Sequence, residues 1–371
     1  MSALIATMTA TPAATTSVPL QALAKGELVG PLKHVTSLWA GYGTLSRGTF
    51  RPTASPTTGK RAKSATKNVI DHAAIPVMVK MIHFDDAAHD DDLTLADLAK
   101  LASTEYADPT TGDLGHRRKV CSYRVEYLFY AQNLSSPTPF RVADFVPALS
   151  RASPATITLG MTELPESASL APTPRAVLAW LASFHAHFLG TQPSGLWEAG
   201  GYWHVATRPA ELRRAQNARG SPYQWVALHA DIWADRLAKW QSDARCGTLV
   251  HGDPKGDNVV VLPDGQVAMV DFQYVGGGIG AVDVAHWLAT SAPDHVLSDW
   301  RRVVADEYYA VYAAQAASKG KEVVDAATVV DQVEVALLDW ARFVAGWGWW
   351  GNVRWLQRTV QEVRDKWVPR A

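Results

Sequence analysis

Asp253, Asn258 and Asp271, all in the second half of the chain, have side-chain types and spacing suited to handling phosphate groups. Asp253 and Asn258 stand five residues apart in Leu249-Val250-His251-Gly252-Asp253-Pro254-Lys255-Gly256-Asp257-Asn258-Val259-Val260, a loop between two short apolar strands. Thirteen residues after Asn258 comes Asp271, at the strand end Ala268-Met269-Val270-Asp271-Phe272-Gln273. Phosphoryl transfer needs a carboxylate to orient or deprotonate the attacking hydroxyl, and oxygen ligands for cations that bridge the phosphates. Two carboxylates and an amide at adjacent strand ends meet that need. A lone His-Gly-Asp is a common turn, and a lone Asp often caps a helix. The joint spacing, with each residue beside a predicted strand, weighs against a purely structural origin.

His251-Gly252-Asp253 through Asn258, followed by Asp271-Phe272-Gln273, resembles the aminoglycoside phosphotransferase/choline kinase superfamily. Gln273 and the following Tyr274-Val275-Gly276-Gly277-Gly278 resemble its ecdysteroid-kinase-like (CHK kinase-like) branch more than choline kinase proper. The resemblance spans roughly residues 35–355 and is strongest in the second half. It implies an α+β, bilobal protein-kinase-like fold, with a small β-rich N-lobe and a larger helical C-lobe. It further implies ATP and Mg2+ as cofactors, Asp253 as catalytic base, and Asn258 and Asp271 as magnesium ligands. His251 is expected to hold the loop by hydrogen bonds, and Asp283 to brace it from a helix start.

The remaining parts of such a site can be sought in chain order. A kinase needs a strand lysine on the α- and β-phosphates and a helix carboxylate to hold it. Lys80, inside the apolar run Ile75-Pro76-Val77-Met78-Val79-Lys80-Met81-Ile82, needs a partner if it is buried there. Glu126, on the firmer helical pattern, is preferred over Glu105, whose weaker pattern ends at Pro109. Gly41 and Gly43, in Gly41-Tyr42-Gly43-Thr44, could lie over the phosphates, although an ordinary hairpin turn explains them nearly as well. Met161 and Glu163 fall, by order, at the hinge where backbone groups would read adenine. Gly276-Gly277-Gly278 follows Asp271 instead of preceding a helix that could bind phosphate, and reads as a pliable connection.

These residues need elements to hold them. Residues 26–165 read as mainly strands: 35–39, 43–50, 75–82, 140–148 and 156–164, with helices at 93–102 and 117–134. The stretch 51–74, with Lys60, Arg61, Lys63 and Lys67, reads as an exposed basic insertion, and Asp85 to Asp92 as a solvated loop. Residues 166–371 read as a helical unit. It begins with a Pro/Ser/Ala linker and the periodic helix 175–189, and is interrupted by strands at 248–250, 258–262 and 267–270. Pro263-Asp264-Gly265 joins the last two of these. Residues 1–25 read as a disordered tail, preferred over a transit peptide because arginines are lacking.

The composition fits this picture. The 371 residues are 47% hydrophobic and 19% charged, a globular balance, and the net charge of -1 gives no basis for nucleic acid as a partner. Only two cysteines are present, so no disulfide framework is expected, and a reducing, cytoplasmic setting is the default. No stretch approaches a membrane span. Of the fifteen tryptophans, six fall in two clusters, at 197–203 and 347–355. Core packing explains most of them, but some could wall an acceptor pocket through ring faces or cation–π contacts, with Asp331, Glu334 and Asp339 as possible holders of a cation. The partner is therefore a small-molecule hydroxyl acceptor: a choline-like amino alcohol, a sterol or an aminoglycoside-like compound. The alternative is a non-catalytic nucleotide-binding pseudokinase or interaction module. A protein kinase is disfavoured, because no Ala-Pro-Glu follows Asp271. Oligomeric state leaves no signal in the sequence.

Overall fold

The computed structural model describes residues 23–53, 73–84, 91–133, 138–191 and 194–368. Residues 1–22 of the expected 1–25 tail, the basic cluster Lys60 to Lys67 and residues 85–90 of the acidic patch lie outside them, whereas residues 23–25 are not tail, since Leu23 is fully buried against the sheet.

The first part of the chain is an antiparallel sheet with two helices. The strands β1 (Gly26–Leu28), β2 (Lys33–Ser37), β3 (Gly43–Pro52) and β4 (Ile75–His83) precede helices α1 (Leu95–Ala107) and α2 (Leu114–Asn133), and β5 (Arg151–Ala152) and β6 (Thr156–Thr162) follow. The sheet order is β1-β3-β4-β6-β5, with β2 also on β3. Strand periodicity sorts the side chains of β4. Val77 and Val79 pack with Leu23, Phe50 and Val146 on one face, while Lys80 and Ile82 are buried on the other. α2 is more deeply buried than an amphipathic helix would be. Every residue from Val120 to Tyr130 is buried, so Arg124 and Glu126 are buried with the apolar positions.

The second part is mostly helical. It contains α3 (Pro174–Phe188), α4 (Pro209–Gln216), α5 (Gln224–Leu228), α6 (Ala230–Gln241), β7 (Gly247–Val250), β8 (Val259–Val261), β9 (Val267–Met269), β10 (Gly276–Ile279) and α7 (Gly280–Thr290). The last helices are α8 (Asp294–Leu297), α9 (Trp300–Val303), α10 (Tyr309–Ser318), α11 (Ala326–Trp347) and α12 (Val353–Trp367). The long α11 runs through the core of this part, with Trp340, Phe343 and Val344 fully buried. No described helix is long and apolar enough to cross a membrane, and Cys121 and Cys246 are both unpaired.

Two further expectations need correcting. Residues 140–148 do not form a strand. They run as irregular chain tied down by isolated bridges, Arg141 to Ala268 and Phe145 to Met161, because the stretch divides its pairing between β9 and β6 and then turns at Pro147. The glycine run is not a pliable connection either. Gly276 to Gly278 lie within β10, fully paired with β7. A Cβ on Gly276 would fall 2.2 Å from the carbonyl oxygen of Trp197, so the close approach of that chain requires glycine.

Candidate active site

The loop that carries Asp253 is shaped from beneath by Asp283, at the start of α7. Its fully buried carboxylate accepts from the N–H groups of His251 (2.6 Å) and Gly252 (2.9 Å) and contacts His185 Nε2 at 3.0 Å. Burial disfavours its charge, but these hydrogen bonds and the neighbouring histidines outweigh that, and its pKa lies below the ordinary aspartate value. Gly252 adopts φ +83°, and a Cβ there would meet the Tyr274 carbonyl oxygen at 2.2 Å. Burial keeps His251 neutral. Its Nε2–H donates to the Val270 carbonyl (3.1 Å), so Nδ1 accepts from the Asp253 N–H (3.2 Å). One imidazole thus ties the Asp253 loop to the strand end carrying Asp271.

Asp253 is buried and its two oxygens differ. Oδ2 accepts from Lys255 Nζ (2.9 Å) and Asn258 Nδ2 (3.1 Å), whereas Oδ1 is buried without a hydrogen-bond partner among the described residues. Burial, the largest influence, raises its pKa to about 7 against the pull of Lys255. Asn258 Nδ2 also donates to the Asp253 carbonyl at 2.8 Å, which leaves the amide oxygen as its remaining polar atom.

Asp271 sits two residues beyond β9 at φ +68°, a left-handed conformation that Asp tolerates better than most residues. Phe272 anchors it: this ring is fully buried and stacks on Phe129 of α2 at 4.2 Å between centroids. The Asp271 side chain is 36% exposed, and its Oδ1 lies 3.5 Å from Lys80 Nζ without making a hydrogen bond. Burial pushes its pKa up, but the ammonium groups of Lys80 and Lys119 more than reverse this, and the carboxylate stays ionised.

Lys80 Nζ donates to Glu126 Oε2 at 2.7 Å, and both groups are buried. Burial alone would lower the pKa of Lys80, yet the carboxylates of Glu126 and Asp271 hold it above the usual lysine value. Glu105, the rival partner, pairs with Arg124. The fold therefore gathers Lys80, Glu126 and Asp271 into one charged cluster, and Asp253 and Asn258 into a second that His251 joins to it.

The other expected site residues lie apart from these clusters. Gly41 and Gly43 form the β2–β3 turn, where the Gly41 N–H bonds Leu38 O (3.1 Å) and Gly43 packs against the backbone of Met81. Met161 is buried in β6 opposite Met78. The Glu163 N–H bonds Pro76 O (3.0 Å) and its carboxylate pairs with Arg47 (2.6 Å). The three candidate cation-holding acids are already neutralised. Asp331 and Glu334 pair with Lys366, Glu334 also with Arg301, and Asp339 with buried Arg342.

Two lysines were not assigned from sequence. Lys255 binds the base itself, and its place two residues after Asp253 was the available signal. Lys119 on α2 donates to Gln273 Oε1 (2.7 Å) and lies over the Tyr123 ring. Burial, only partly countered by Asp271, lowers its pKa to about 8.

A two-part kinase-like architecture with this loop defines a class, and comparison with known proteins agrees. The model of the phosphotransferase enzyme family matches residues 128–326, more than half of the chain. The chain belongs to that family and is a small-molecule phosphotransferase. The match does not single out the ecdysteroid-kinase-like branch. No curated protein matches the chain. Among solved structures, a choline kinase from Cryptosporidium parvum is 10% identical, with 91% of this chain and 90% of that one covered and a TM-score of 0.47. A putative fructosamine-3-kinase from Thermobifida fusca is 15% identical, covering 94% and 97%, with a TM-score of 0.46. An aminoglycoside phosphotransferase from Streptomyces rimosus, in complex with ADP and streptomycin, is 16% identical, covering 84% and 92%, with a TM-score of 0.43.

Proposed function

We propose that this protein transfers the γ-phosphoryl group of ATP to a hydroxyl of a small molecule. The observation that carries this is the juxtaposition of the Lys80–Glu126–Asp271 cluster with a buried Asp253 that keeps one oxygen unpartnered. Lys80, locked by Glu126, binds the α- and β-phosphates. Asp253 Oδ1 takes the acceptor hydroxyl proton, a role for which a pKa of about 7 is well matched. Lys255, on Oδ2 of the same carboxylate, holds Asp253 in place and adds positive charge where the transferring group would pass.

Asn258 and Asp271 fit Mg2+. Both offer oxygen donors, the Asn258 N–H groups are already engaged by Asp253, and Asp271 Oδ1 is an orphaned polar atom. When bound, the cation would neutralise charge on the bridging phosphate oxygens. Gly41 and Gly43 shape the turn above the phosphates, and Met161 and Glu163 border the adenine position.

The test is ATP consumption by purified protein with pooled hydroxyl compounds and Mg2+, scored against Asp253→Ala. Acceptor-dependent turnover present only in the unaltered protein supports the proposal. Nucleotide binding with no turnover across the pools favours a non-catalytic nucleotide-binding protein instead.

A further inference from the structure

Arg208, just before α4, is 5% exposed, and Arg118 on α2 is half-buried. Arg208 Nε donates to the Tyr202 carbonyl at 2.6 Å, and its guanidinium lies over the rings of Tyr202, Phe343 and Trp347 at 5.3–5.7 Å. Arg118 Nη1 donates to the carbonyl of Thr207, the residue preceding Arg208, at 2.9 Å. Among the described residues neither guanidinium makes another hydrogen bond and neither has a carboxylate within ion-pair distance. Two acids act on the pair from further off: Glu211, near Arg208, pairs with Arg214 at 3.4 Å, and Asp113, near Arg118, accepts from the His116 N–H.

Two adjacent guanidinium groups, one of them nearly buried, without a counter-charge are electrostatically costly, since guanidinium does not lose its proton in proteins. Burial, the larger influence, and the neighbouring Arg118 both disfavour the charge on Arg208, and Tyr274, Glu211 and Tyr202 offset them only in part. The pair also has a definite position. Tyr202 lies between Arg208 and the base: its hydroxyl is 3.5 Å from His286 Nε2, which is 3.8 Å from the unpartnered Oδ1 of Asp253. We infer that Arg118 and Arg208 form an anion subsite on the acceptor side of the cleft, which takes a carboxylate or phosphate group of the substrate whose hydroxyl reaches Asp253. Guanidinium forks suit such planar or tetrahedral oxyanions, and the aromatic rings around Arg208 hold its fork in place. The acceptor is then a hydroxy compound bearing an anionic group, not a simple amino alcohol. The subsite as an acceptor site rests on the phosphotransferase proposal; its ability to bind an anion does not.

Two measurements on the full chain separate these. The first is calorimetric titration of malonate, and of inorganic phosphate, into protein saturated with AMP-PNP and magnesium, so that the nucleotide side is filled. The expected result is saturable binding that weakens at least tenfold in Arg118→Gln and in Arg208→Gln, and is unchanged in a surface control, Arg213→Gln. Absent binding, or binding unaffected by Arg118→Gln, overturns the subsite, and comparison of malonate with phosphate identifies the preferred anion. The second is ATP turnover on matched acceptors, hydroxy acids and phosphate monoesters against amino alcohols of equal chain length. The expected result is at least a tenfold higher kcat/KM for the anionic members, lost through KM in Arg118→Gln. A preference for the amino alcohols overturns the inference. If the whole panel is inert while malonate or phosphate binds through the arginines, the phosphotransfer proposal fails and the anion site stands.

Discussion

The two sides of the cleft treat charge in opposite ways. On the proposed nucleotide side Lys80 meets Glu126 at 2.7 Å and Asp271 at 3.5 Å, so each buried charge has an opposing neighbour before any ligand arrives. On the proposed acceptor side Arg118 and Arg208 meet, among the described residues, only backbone carbonyls and aromatic rings, and Glu211, whose charge reaches Arg208, pairs with Arg214. A ligand entering the first side finds its counter-charges already ordered by internal ion pairs. A ligand entering the second would itself supply the missing charge. The difference separates a preorganised reaction centre from a recognition surface that stays incomplete without its substrate.

Unbalancing the balanced side should have the largest effect. Lys80→Met leaves Glu126 buried and unpaired, and should cost the ligand-free protein about 3–5 kcal/mol in a denaturant titration. A loss under about 1 kcal/mol would show that the pair is hydrated and that the two sides do not differ as described. Next comes Asp253→Ala, which should lower kcat by about 10²-fold or more while leaving the unfolding transition cooperative. Retained turnover would move the base elsewhere.

The pH dependence is a milder probe of the same group. The pKa of Asp253 is raised to about 7, so its basic form is present above that pH and is lost as pH falls through it. In the free enzyme kcat/KM should therefore drop about tenfold for each unit below 7. An activity flat down to pH 5 would contradict a buried carboxylate base. The smallest effect belongs to the unbalanced side. Arg118→Gln removes a cation that has no ionic partner to orphan, so stability should change by no more than about 1 kcal/mol, the worth of its one hydrogen bond to Thr207. A large loss of stability would reveal a structural partner for Arg118 and would collapse the contrast.

Much of the reaction centre was legible because it is local. Asn258 and Asp271 flank a short hairpin, β8–β9, whose turn and apolar runs are visible in the residues, and Asp253 lies five residues before Asn258, whose side chain bonds it. Lys80 needed only the inference that a lysine inside an apolar strand requires a carboxylate, and Glu126 was the better of two choices. The glycine run misled because its cause is non-local. Nothing in Gly276-Gly277-Gly278 announces that the chain at Trp197 will pass within 2.2 Å of a Cβ position. The 140–148 stretch misled for a related reason, since its few residues meet two distant strands, β9 at Arg141 and β6 at Phe145, and build a ladder on neither.

The acceptor side was the least legible. Asp331, Glu334 and Asp339 read as possible cation holders because a sequence shows charges without their partners, and Lys366, Arg301 and Arg342 lie on other turns or other helices. What the sequence by itself determined is the set of side chains that the proposed chemistry would use: two aspartates, an asparagine and a strand lysine, set by residue type and short spacing. What only the tertiary structure decided is the balance of charge around them. That balance depends on which side chains fold to within a few ångströms of one another from distant positions. Arg118 and Arg208 are ninety residues apart in the chain, yet the Thr207 carbonyl that Arg118 binds belongs to the residue next to Arg208.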